Sequence, residues 1–515
     1  MSLKLSRRQV LFAVPLMAAL PHMMAHAAGT EGLHLGPPQP FDFEKLAATA
    51  RSLAGKPYVP RKVEARDILE QIDFEQQIEI EYRPDRTILA GTATPIRLFH
   101  PHKFATGGVR IFLVEKGMAR PIGYDPDLFT YGPKAAIAKT LPKSVGFAGF
   151  RVLNPNLRGD WLAFQGASYF RSSGELDQYG LSARGLAVNS GLDPEEFPIF
   201  TAFYLEPSKG AVVVHALLDS PSVAGAYRFV CRKQKTVTMD IEARLFARKD
   251  IKRLGIAPLT SMFWYSELNR AGAPDWRPEI HDSDGLAIWT GDGERIWRPL
   301  NNPAVVMTNS FVGGTPNGFG LLQRDRRFAD YQDDAVFYEK RPTVWVEPLS
   351  EWGEGAVQLV EIPTDAEIHD NIVAFWVPKE RVRTADALSF SYRLHWTGEE
   401  PFPPPAARVV ATRRGRGGKP GIVDTRGLVK YVIDFEGGGI AKYQTGDPVE
   451  PVVTVSRGSV VEPYAVRVNT TDRWRIVFDL DAEGEAPVDM RAYLRKESGE
   501  ALTETWIGQH LPGVP

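Results

Sequence analysis

The side chains best suited to chemistry lie in two acidic stretches of this 515-residue chain, Glu279-Ile280-His281-Asp282-Ser283-Asp284-Gly285 and Thr364-Asp365-Ala366-Glu367-Ile368-His369-Asp370. In each, an Asp directly follows a His at the entrance to an apolar run, Leu286-Ala287-Ile288-Trp289 in the first and Ile372-Val373-Ala374-Phe375-Trp376 in the second. Three kinds of chemistry suit the pattern. Asp residues at such places form turns by bonding their own backbone. A metal could be held by His281, Asp282, Asp284, His369 and Asp370, but neither an HExxH pair nor a complete calcium-loop spacing accompanies them. Alternatively, two carboxylates from distant segments could divide the acid and base work of glycoside hydrolysis, one donating to the leaving oxygen and one activating the nucleophile. Asp370 and Asp282 are the pair for those roles.

Their neighbours favour the catalytic reading. Trp289, Trp297, Trp345, Trp352 and Tyr338 could stack on sugar rings, and Arg298, Arg324, Arg341 and Glu351 could grip hydroxyls. A tryptophan on a strand is as a rule a core residue, so each aromatic carries little by itself. Chemistry of this kind calls for neither a metal nor an organic cofactor.

The elements that must position these residues are mostly strands. Gln77-Ile78-Glu79-Ile80-Glu81-Tyr82 and Lys235 to Leu245 alternate strictly, as half-buried strands do. Gly285 to Trp289 and Arg295 to Arg298, around the Gly-rich turn Gly291-Asp292-Gly293-Glu294, predict a hairpin with both tryptophans on one face. Asp42 to Ala54 is one of few helix patterns: Asp42 caps, Phe43, Leu46, Ala47, Ala50, Leu53 and Ala54 share a face, and Gly55 ends it. After a last strand at Leu388 to Trp396, Glu399-Glu400-Pro401-Phe402-Pro403-Pro404-Pro405 can be neither helix nor central strand. The chain is therefore expected to be all-β, a large N-terminal β-sandwich over 38–397, a stiff linker over 398–405, and an immunoglobulin-like β-sandwich over 406–512. The basic run Arg413 to Lys419 is expected to be a loop.

Composition narrows the class. A formal charge of -2, from 61 basic and 63 acidic residues, gives no electrostatic footprint for nucleic acid. Ser6-Arg7-Arg8-Gln9-Val10-Leu11-Phe12, the apolar stretch to Leu20 and Ala25-His26-Ala27 predict a twin-arginine signal over 1–27 and a folded protein exported to the periplasm. The single cysteine, Cys231, lies in a strand pattern and is expected to be a buried structural thiol.

Long segments in order resemble one family. GELDQYGLSARGLAVNSG (174–191), EEFPIFTAFYLE (195–206), IAPLTSMFWY (256–265), RPEIHDSDGLAIW (277–289), EWGEGAVQLVEIPT (351–364) and HDNIVAFWVP (369–378) are similar to the osmoregulated periplasmic glucan biosynthesis proteins, the G/D family, and the twin-arginine leader to its D branch. The resemblance implies a large cleft-bearing β-sandwich joined to an immunoglobulin-like domain. It implies action on linear β-1,2-glucan with inversion, by internal hydrolysis or by transfer of the cut end to give cyclic products. It places the general acid on Asp370, the general base on Asp282, and substrate contacts on Tyr338 and Arg341 of FYEKRP. In the family the acid relays its proton through a substrate hydroxyl and the base acts through waters. The two carboxylates are then expected farther apart than the roughly 6.5–9.5 Å of an ordinary inverting pair. The rival reading is a non-catalytic glucan-binding protein that carries nascent glucan to a membrane synthase. The appended domain and the Arg-rich run also admit a homodimer contact.

Overall fold

The computed structural model describes residues 32–419, 421 and 427–513. The expected leader, 1–27, lies outside the described residues. Period-2 patterns fold as strands because alternate side chains point to opposite faces. Among the described residues, a 15-stranded sheet faces a 10-stranded one, so the architecture is all-β with a sandwich core. Strands Ile199–Ser208, Ala211–Asp219, Val223–Lys233 and Val237–Ala247 form an antiparallel meander, continued by Ala387–Thr397.

Aromatic rings lock the two layers together. Phe164, on Asp160–Gln165 of the smaller sheet, stands 5.7 Å from Phe203 and 5.0 Å from Phe229 of the larger one. All three are fully buried, each supplying about 1.5–3 kcal/mol of transfer free energy. Cys231 is free and buried on the same meander, and burial pushes its thiol pKa up. The helix Phe43–Ala54 forms as its cap and spacing predict. Asp42 accepts from the amide of Lys45 at 2.8 Å, and Leu46, Ala47 and Ala50 pack on Phe112, Leu217 and Phe246 of the larger sheet.

Two local expectations are corrected. The strand expected over 77–82 is only Ile80–Tyr82, because Asp73 and Gln76 form a capping box that makes Phe74–Gln77 a helical turn. The basic run is not a loop throughout: residues 413–416 finish the strand Arg408–Arg416, where Arg413 bonds Asp434 at 2.9 Å.

Beyond the Pro-rich stretch, strands Arg408–Arg416, Leu428–Glu436, Trp474–Asp481 and Ser459–Arg467 form one layer. Val449–Val455, Val488–Lys496 and Thr505–His510 form the other. This second layer continues the large sheet, because Thr505–His510 pairs in parallel with Arg295–Pro299 through Ile296↔Thr505 and Trp297↔Trp506. The linker is clamped as well: the Phe402 ring lies 6.3 Å from Trp345 and 5.3 Å from His395.

Candidate active site

One short stretch of chain positions both acidic segments. The strand Leu254–Ser261 runs on into Met262 and Phe263; Ser261 pairs with Ile372, and Phe263 pairs with His281. The amide of Asp282 donates to the Met262 carbonyl at 2.8 Å. Asn371, next to Asp370, accepts from the Phe263 amide at 2.8 Å and donates to the Phe263 and Ile362 carbonyls at 2.9 and 3.0 Å. Asn371 is buried, and its side chain, with donors and an acceptor all satisfied, fixes the end of the 364–370 loop as a backbone group would.

A third segment bridges the two. The Arg341 guanidinium forms a buried ion pair with Asp282 and lies 4.1 Å from the centre of the Tyr338 ring. The Tyr338 hydroxyl donates to Glu367 at 2.6 Å, and Glu367 pairs with Arg277 at 3.0 Å. Arg277 also holds Asp333 at 2.6 Å and Asp275 at 3.0 Å. Burial works against its charge, but the carboxylates of Asp275, Glu367 and Asp333 outweigh burial and hold its pKa above the ordinary value. A continuous polar chain, Asp282–Arg341–Tyr338–Glu367–Arg277, thus ties the first acidic segment to the second.

The two carboxylates sit differently. Asp370 is half-buried and lines a cavity of about 430 Å³ whose walls include Tyr58, Arg61, Lys62, Gln165 and Tyr169, within the roughly 300–1,000 Å³ usual for small-molecule clefts. Gly107 and Gly108, at φ +74° and +70°, turn the chain along the same wall. Asp282 is 0% exposed. Asp370 thus opens on a cavity, whereas Asp282 is enclosed in contact with Arg341.

The remaining candidates are placed elsewhere. Trp345 is fully buried and shares a core with Trp297 and the C-terminal sandwich. Trp297 lies under Arg324, and Trp289 under Arg295, each at 3.7 Å. The two tryptophans share one face of the hairpin, as expected, but that face meets the C-terminal sandwich and linker. Trp352 packs 6.1 Å from Trp376 and 6.0 Å from Tyr392. None of these four lines the Asp370 cavity; on the strands that carry Trp289, Trp297 and Trp345, the large apolar ring takes the drier side. Arg298 is buried against Glu361 at 3.0 Å, while Arg324 reaches Glu504 at 2.6 Å and Glu400 at 3.2 Å. Glu351 is exposed in the turn before Trp352.

The metal set drawn from the His-Asp pairs does not converge. His281 bonds Glu279 and Gln323, both at 2.9 Å, and His369 bonds Thr364 at 3.0 Å. Sequence reasoning missed Arg277, Asp333 and the cavity walls around Tyr58 and Gln165. These come from separate segments without a shared pattern, and only the fold assembles them.

Comparison with known proteins adds to this geometry. A family model described as "Periplasmic glucan biosynthesis protein, MdoG" matches residues 41–510. Among similar proteins, "Glucans biosynthesis protein D 2" of Ralstonia nicotianae is 48% identical, the alignment covering 98% of each chain. "Glucans biosynthesis protein D" of Stenotrophomonas maltophilia is 48% identical over 96% of this chain and 95% of its own length. The Xylella fastidiosa protein of the same name is 47% identical over 93% of this chain and 92% of its own.

Proposed function

Since the chain belongs to the MdoG family of periplasmic glucan biosynthesis proteins, we propose that it processes linear β-1,2-glucan by inverting, internally acting cleavage or transfer. Asp370 is the general acid and Asp282 the general base. The observation that carries this reading is the polar chain from Asp282 through Arg341 and Tyr338 to Glu367, in the loop whose last residue, Asp370, opens on the cavity.

The chemistry follows from the placement. A proton from Asp370, passed through a substrate hydroxyl, reaches the glycosidic oxygen as its bond to the anomeric carbon breaks. A water, or a hydroxyl of the glucan in the transfer case, forms the new bond from the opposite face, which inverts the centre. The nucleophile's proton travels through waters towards Asp282. Being buried, Asp282 acts only by such a relay, and its ion pair with Arg341 keeps it aimed. The substrate contacts belong to the cavity walls; Tyr338 and Arg341, buried behind them, position Glu367 and Asp282 for the bound glucan, and the tryptophans serve packing. The reaction takes place in the periplasm, after export through the twin-arginine leader.

One observation favours a second reading. A fully buried Asp paired with a fully buried Arg is also what a purely structural ion pair looks like, and with it the protein would bind nascent glucan for a membrane synthase without cutting it. Incubation of the purified protein with linear β-1,2-glucan separates the two. Shortened or cyclised chains are expected, and unchanged chain lengths would leave the binding protein.

A further inference from the structure

Arg277 is a junction in the polar chain and not merely its end. Its own turn aims the guanidinium: Asp275 accepts from the Arg277 amide at 2.9 Å, from Nε at 3.0 Å and from Nη2 at 3.1 Å. The Tyr265 hydroxyl donates to the Arg277 carbonyl at 3.0 Å. Nη1 then reaches two further segments at once, meeting the Asp333 carboxylate at 2.6 Å and the Glu367 carboxylate at 3.0 Å. Arg277 and Asp333 are both buried.

Each of those segments supports one of the two carboxylates assigned to the reaction. Asp333 also accepts from the amides of Ala335 and Val336 at 2.9 and 2.8 Å. These bonds close the turn that leads into Tyr338–Lys340 and on to Arg341, the partner of Asp282. Glu367 lies inside the 364–370 loop. Asn302 ties the start of that loop, accepting from the Thr364 amide at 2.9 Å and donating to the Thr364 carbonyl at 2.8 Å, and Asn371 ties its far end. Between these ties, Glu367 takes the Tyr338 hydroxyl and Arg277 Nη1 on the same oxygen, Oε2. Supports that are themselves fixed hold a neighbouring functional group in place, and here that group is Asp370.

The arrangement calls for a guanidinium. Nε, Nη1 and Nη2 meet three carboxylates along fixed, coplanar directions, whereas the ammonium of a lysine supplies the charge without the fork. Arg277 does not line the Asp370 cavity, so it acts through Glu367 and Asp333.

We propose that Arg277 is a positioning residue for the glucan reaction: by gripping Asp333 and Glu367 with one nitrogen, it locks the segment behind Asp282 to the loop that carries Asp370. Its role rests on the assignment of those two carboxylates as base and acid, and the experiment keeps the two apart.

Steady-state cleavage of linear β-1,2-glucan is compared in the full mature wild type, Arg277→Met and Arg277→Lys, with circular dichroism to check the fold. In Arg277→Met, kcat is expected to fall by about a hundredfold, the cost of a small misplacement of a reacting group, while KM stays within about threefold of wild type. Arg277→Lys should lose less, about tenfold, because charge remains without the fork. Separately, a nitroxide is attached at Asp365→Cys, an exposed position on the same loop, the single native cysteine being buried. Its paramagnetic resonance lines should narrow when Arg277→Met is added, as the loop gains motion. Wild-type kcat in folded Arg277→Met, a change confined to KM, or an unchanged spectrum overturns the role of Arg277 and leaves Asp370 as the acid. A wild type that does not cut the glucan removes the acid and base assignment, and the spectrum alone then decides whether Arg277 holds the loop. Should Arg277→Met fail to fold, Arg277→Lys carries both measurements, and wild-type turnover with an unchanged spectrum overturns the role.

Discussion

Arg341 has two tasks at the residue scale: it neutralises Asp282 in the interior and covers the Tyr338 ring. Removing it takes the guanidinium away from a buried carboxylate, a change that typically costs about 3–5 kcal/mol. Arg341→Met should lower the urea-unfolding free energy by that amount, and a loss below about 1 kcal/mol would show the pair to be of little weight. The two acidic segments that the fold ties together were legible in the sequence because each sets a His-Asp pair at the entrance to an apolar run and falls in a stretch that resembles the family. The surroundings were less so. Alternation says that Trp345 and Trp297 share a face with apolar neighbours, but it cannot say whether that face meets solvent or another layer. Here the other layer is the C-terminal sandwich, and its burial of the rings is a consequence of pairing between distant strands.

At the scale of elements, local signals read true where no competing local chemistry intervened. The helix Phe43–Ala54 has a cap, a period and a stop that agree. The alternation at 77–79 lost to the Asp73/Gln76 capping box, which satisfies amides that a strand would have left to a partner. At 413–416 charge and glycine imitate a loop, but the Arg413–Asp434 bond pays for the pairing. The bend after the strand Ile96–Phe99 yields a pH prediction. His100 contacts the Pro101 carbonyl at 2.7 Å and the Tyr124 hydroxyl at 2.9 Å. Burial pulls its pKa down to about 4, and burial, with the charge of His100, pulls His102 down to about 3. Both lie below the unfolded value of about 6.5, so the unfolded chain binds more protons over the interval between. Their contribution is complete above about pH 6.5 and is lost as the pH falls through about 4 and then 3, by at most about 1.4 kcal/mol per pH unit for each ring. The melting temperature should therefore fall less steeply on acidification in a His100→Gln, His102→Gln double variant than in wild type. Parallel curves would contradict neutral burial of these rings.

At the scale of the whole molecule, the Pro-rich stretch was readable as a break in pattern, whereas the sheet that crosses it was not. The Ile296↔Thr505 pairing joins strands remote in sequence, and no local pattern encodes which edge a strand will find. With main-chain bonds, the Arg324–Glu504 and Arg324–Glu400 pairs and a shared tryptophan core across the seam, the two sandwiches should unfold together. Scanning calorimetry of the mature protein should give one cooperative transition, and two resolved transitions would mean that the seam contributes little to stability.

The proposed reaction depends on a proton donated by Asp370. The most direct measurement compares purified wild type with Asp370→Asn on linear β-1,2-glucan, following chain length over time, with circular dichroism to check the fold. The predicted result is a drop in turnover of about a thousandfold with an unchanged spectrum. Near-normal cleavage by the folded variant would contradict it.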